Sequence, residues 1–148
     1  MLVIGVGNRM RCDDGAGPVV LDRLAALALG NLETEEVAGD CARLIDLWEG
    51  RGRVIVVDAT QSGAAAGTVI AFDALASEIP RELFIHTSHA FGVAEAVATA
   101  GALERLPGSL WVYGIEGVEF GFGEELTTAV AVGADEVARR IALRLGGG

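Results

Sequence analysis

Three short apolar runs stand out along the chain: Leu2–Val6, 53–57 and 109–114. Short runs rich in Val and Ile are the pattern of strands covered on both faces. Two weaker runs, 32–37 and 68–72, are further strand candidates. Between them, apolar positions recur at helical spacing. Val20, Leu24 and Leu27 share one face, with Asp22 and Arg23 off it. Pro18 falls where a first helical turn tolerates a missing N–H. Cys41–Trp48 reads as a short helix. Residues 88–106 read as a longer one, with Val93, Val97 and Ala100 on one face and Pro107 beyond the end. The last helix is expected over 124–145, with Ala134, Val137 and Ile141 inward and Glu136, Arg139 and Arg140 opposite.

The predicted order is β-α-β-α-β-β-α-β-α. Strands alternating with helices imply an α/β fold, a three-layer αβα sandwich around a mostly parallel sheet. Segment 68–72 comes after the third strand with no helix between, which suits an antiparallel edge or a hairpin partner.

A chain of 148 residues is expected to form one domain over 1–148. A domain of this size buries roughly 68–70% of its unfolded surface, so its core needs no disulfide or structural metal. Hydrophobic residues make up 51% of the chain. Even so, no apolar run approaches the ~20 residues of a membrane span. The first residues enter an apolar segment with no basic stretch or cleavage site, so a cytoplasmic location is expected. Cys12 and Cys41 are then expected to be reduced, and two cysteines cannot build a C-x-x-C type zinc site. The net charge of −10 argues against a nucleic-acid partner.

Ligands of open α/β sheets bind beyond the carboxyl ends of the strands. The residues just past each strand are therefore informative. Past the first lie Asn8 to Pro18, with Asp13 and Asp14; past the third, Asp58-Ala59-Thr60-Gln61-Ser62; at the end of the last, Gly114-Ile115-Glu116. His86 and His89, the only histidines, precede the long helix. Gly5-Val6-Gly7 begins a dinucleotide fingerprint, but position 10 is Met and a long acidic loop intervenes, so nucleotide binding is disfavoured. Asp13 reads as a cap or turn residue. Asp14 is equally open to a cap and to a functional role. Asp58 beside Val54-Ile55-Val56-Val57 would lose hydration, at a cost of several kcal/mol unless paired or coordinated, which favours function. His89, behind Ser88 as the expected helix cap, is favoured over His86. Thr60, Ser62 and Ser88 invite a nucleophile reading, but no G-x-S-x-G elbow is present and no cysteine has a clear histidine partner. An aspartyl dyad of Asp14 and Asp58 also stays open.

Gly5-Val6-Gly7-Asn8 with Asp13-Asp14-Gly15-Ala16-Gly17, then Val57-Asp58-Ala59, Ser88-His89, and Val112-Tyr113-Gly114-Ile115-Glu116 with Gly123 and Leu126-Thr127 succeed one another in order. Together they resemble the [NiFe]-hydrogenase maturation endopeptidases over essentially the whole chain. The resemblance implies a twisted five-stranded sheet between helices. It also implies an endopeptidase that removes the C-terminal extension of a hydrogenase large-subunit precursor after nickel insertion, recognising the substrate's nickel. Matched motif by motif, the metal-contacting and catalytic residues fall on Asp14, Asp58 and His89. The nickel is carried by the substrate, with no tightly bound metal of the protein's own. A non-catalytic, nickel-dependent checkpoint or chaperone of the same fold is the alternative reading.

Overall fold

The computed structural model describes residues 1–84 and 92–146. In chain order the elements are β1 (Leu2–Val6), a 3-10 turn (Cys12–Gly15), α1 (Ala16–Ala26), β2 (Glu33–Val37), α2 (Cys41–Trp48), β3 (Arg53–Thr60), β4 (Val69–Asp73), a second 3-10 turn (Arg81–Phe84), α3 (Val93–Ala102), β5 (Ser109–Glu116) and α4 (Thr128–Gly146). The strands form one sheet in the order β2-β1-β3-β5-β4. All neighbours are parallel except β4, which pairs antiparallel with β5 at the sheet edge and forms no hairpin with β3.

Alternation along the strands divides the interior into two cores. Leu2, Ile4, Val54, Val56, Leu110 and Val112 pack on one face, against Leu44 and Trp48 of α2 and Val93 and Ala96 of α3. Val3, Ile55, Val57, Tyr113 and Ile115 pack on the other, against Val20 and Leu24 of α1 and Val137 and Ile141 of α4. Each fully buried aliphatic side chain contributes roughly 1.5–3 kcal/mol over its exposed state. The two faces are therefore what holds the three layers together.

Several boundaries differ from the sequence reading. β3 and β5 run on to Thr60 and Glu116, because their parallel register continues unbroken from Arg53↔Ser109 to Thr60↔Glu116 after the apolar pattern has ended. Asp58 therefore lies within its strand, opposite Gly114, rather than behind it. α1 stops at Ala26, so Leu27 caps it and is 51% exposed; Leu21 takes the expected inward place. α3 begins at Val93, with Gly92 as its cap, and Ser88, the expected cap, lies outside the described residues. It ends at Ala102, where Glu104 turns left-handed (φ 57°) and the Arg105 N–H donates back to the Ala100 carbonyl at 2.8 Å. α4 begins at Thr128, not at 124, because Thr127 is tied by its N–H and hydroxyl to the Asp13 carboxylate.

Candidate active site

In this strand order the chain leaves β1 for β2 on one side, then crosses back to β3 on the other. The sheet thus has its topological switch point between β1 and β3. α1, which comes after β1, and α3, the next α-helix after β3 and β4, pack on opposite faces, which opens a crevice at the carboxyl ends of β1 and β3. The 3-10 turn carrying Asp13 and Asp14 sits over this point.

Glycine lets it come that close. A Cβ at Gly17 would lie 2.5 Å from the Val6 carbonyl oxygen and 2.6 Å from that of Val57. At Gly7 (φ 149°) it would run into the carbonyl oxygen of Asp14. The glycines of the first motif thus serve a packing role, settling the start of α1 directly on β1 and β3. Arg9 fixes the outer side of the same loop through ion pairs to Asp22 of α1 at 2.7 Å and Glu36 of β2 at 2.8 Å.

Four carboxylates are buried at this rim: Asp13, Asp14, Asp58 and Glu116. Two are saturated. Asp13 accepts from the backbone N–H groups of Val118 and Glu119 at 3.0 Å and of Thr127 at 2.8 Å, and from the Thr127 hydroxyl. Glu116 accepts from the Thr60 and Ser62 hydroxyls, both at 2.8 Å, and from the N–H groups of Ser62 and Gly63. Asp13 is therefore a turn and loop anchor, the role the sequence favoured, although it anchors the approach to α4 and not α1. The hydroxyls of Thr60 and Ser62 are engaged in holding a loop. Glu116 was visible in the sequence only as part of a strand-end motif. Its register opposite Thr60 is the signal of its anchoring role.

Asp14 and Asp58 differ. Asp14 Oδ2 accepts from the Asn8 N–H at 3.0 Å, and Asp58 Oδ1 accepts from the Ala59 N–H at 2.8 Å. Their other oxygens, Asp14 Oδ1 and Asp58 Oδ2, are buried with no hydrogen-bond partner among the described residues. Burial first, and then the charge of Asp14, push the Asp58 carboxyl well above the usual carboxylate range. The two acids thus feel one another across the switch point. Two buried carboxylate oxygens without donors form a place prepared for a cation or a proton. Cys12, in the same turn, is no rival nucleophile: desolvation and the charges of Glu119, Asp13 and Glu125 raise its thiol, which keeps it protonated.

His89 and His86 lie outside the described residues. Among the described residues, no group of three or more His, Cys, Asp or Glu side chains is gathered to hold a metal. Nor is any helix among them long and apolar enough to cross a membrane.

Comparison with known proteins decides the family. The family model described as hydrogenase maturation protease matches residues 39–143, a span that includes Asp58. The chain belongs to the hydrogenase maturation protease family. This makes the maturation protease a hydrolase, as the sequence motifs implied. The 1–38 segment that carries Asp14 is covered by structural likeness. The [NiFe] hydrogenase maturation protease HybD from Thermococcus kodakarensis is 27% identical with a TM-score of 0.68, over 97% of each chain. The endopeptidase HycI from Escherichia coli is 26% identical with a TM-score of 0.71, over 94% of this chain and 86% of that one. The hydrogenase maturating endopeptidase HybD from E. coli, 22% identical, shares the fold at a TM-score of 0.73 over 99% of this chain and 93% of its own. No curated protein sequence matches the maturation protease significantly.

Proposed function

We propose that this maturation protease removes the C-terminal extension of a [NiFe]-hydrogenase large-subunit precursor once nickel has been inserted, and that Asp14, Asp58 and His89 touch the substrate's nickel. The observation that carries this reading is the pair of buried oxygens on Asp14 and Asp58 at the switch point that have no donor among the described residues. Nickel accepts carboxylate oxygen and imidazole nitrogen, so two acids and one histidine suit it and leave positions for ligands from the substrate. The protease holds no tightly bound metal of its own. Nickel seated in the precursor orients the scissile bond against the site, a positioning role that makes metal presence the gate to cleavage. The metal also supplies Lewis acidity toward the scissile carbonyl or an attacking water.

The test is to incubate the protein with nickel-loaded and nickel-free precursor and monitor the size shift on a gel. Cleavage is expected only of the loaded form, and equal cleavage of both rejects nickel gating. His89→Ala should slow processing more than His86→Ala; the reverse order would move the imidazole role to His86.

A further inference from the structure

The loop between β5 and α4, residues 117–127, is held to the turn that bears Asp14. Besides the four donors that bond to the Asp13 carboxylate, the Asp13 N–H donates to the Glu119 carbonyl at 2.8 Å and the Cys12 N–H to that of Gly123 at 2.7 Å. The Gly123 N–H donates in turn to the Met10 carbonyl at 2.9 Å. Within this pinned loop, Phe120 packs against the α1/α4 core. Phe122, two residues on, is 96% exposed. Val118 (60%) and Met10 (51%) add exposed apolar surface around the same turn. Exposed acids, Glu119, Glu124 and Glu125, flank it.

A large aromatic ring held out in water on an ordered loop forgoes the burial that Phe120 achieves. Aromatic anchors surrounded by polar positions are the pattern of an interface hot spot. We propose that Phe122, supported by Val118 and Met10, is the knob by which the protease docks on the folded large-subunit precursor, into an apolar pocket rimmed by Arg or Lys side chains. This rests on the function proposed above. The acids supply charge complementarity to that basic rim, and steer the encounter. Because the loop hangs from Asp13, docking at Phe122 fixes the partner relative to the neighbouring Asp14.

The test uses nickel-loaded precursor and three variants: Phe122→Ser, the double variant Glu124→Gln with Glu125→Gln, and Leu75→Ser as a control exposed elsewhere. Both the steady-state constants of cleavage and the precursor affinity by titration are measured. Phe122→Ser should raise KM and Kd roughly 10- to 30-fold with kcat retained, as expected for losing an aromatic hot spot. The double variant should flatten the salt dependence of Kd, and Leu75→Ser should change nothing. Unaltered KM and Kd in Phe122→Ser, with the wild type cleaving normally, overturn the docking site and leave the function standing. Phe122-dependent binding without cleavage overturns the function and leaves the docking site. Absence of both binding and cleavage in the wild type overturns both.

Discussion

Asp13 and Asp14 are consecutive residues of one 3-10 turn, and neither exposes any surface, yet their side chains have opposite surroundings. Asp13 is enclosed by three backbone N–H groups and a hydroxyl. Asp14 is given one N–H and keeps an oxygen that accepts from nothing among the described residues. The first arrangement stabilises a carboxylate for structural ends. The second leaves free energy unrecovered until something positive arrives.

The same tension at Asp58 should appear as a pH-dependent cost. Its folded carboxyl titrates well above the usual range, so the fold disfavours its charged form. Below the unfolded value of about 3.9 both states hold the proton and there is no penalty. As pH rises through the window up to the folded value, the penalty grows, and it persists above it. Asp58→Asn should therefore melt above the wild type at neutral pH, by about 2–4 °C per kcal/mol relieved, while cleavage of nickel-loaded precursor is lost. The Tm difference should shrink toward pH 3. A difference independent of pH would refute the assignment.

Asp13→Ala should have the opposite character. It strands several N–H donors in a partly buried loop, for a loss of about 3–5 kcal/mol and a Tm lower by about 10 °C. Hydrogen exchange should quicken at Val118, Glu119 and Thr127 before it does in β1 or β3. Protection unchanged at those three amides would contradict the anchoring role.

Gly17→Ala separates packing from propensity. Within a helix the change alone would add about 1 kcal/mol of stability. Here the new methyl meets the backbone carbonyls of Val6 and Val57, which no side-chain rotation relieves. A loss of about 2 kcal/mol or more is expected in urea unfolding, with expression sharply reduced. A gain would show that α1 does not rest directly on the two strands.

Much of the fold was legible in the chain. The apolar strands declared themselves because β1, β3 and β5 are covered on both faces, and β4 was placed as an antiparallel edge by the absence of a helix before it. The strand ends were not legible, since Asp58, Thr60 and Glu116 continue the ladder with polar side chains that pattern reading assigns to loops. The start of α4 was hidden for a related reason. What keeps 124–127 out of the helix is Asp13, more than a hundred residues earlier, and no local signal encodes that contact. Asp14 was singled out by its motif, but its difference from Asp13 lies in which N–H groups the fold brings near. The motif alone does not show it.

The two acids also belong to different layers. Asp58 is carried by a central strand, whereas Asp14 rides on the turn that opens α1 on one outer face. The gap between their free oxygens is thus set by how far that helix slides over the sheet, and the seam where Gly17 meets the carbonyls of Val6 and Val57 is the bearing surface. A shim as thin as one methyl group, inserted there, would reset the spacing of the two acids without altering either of them.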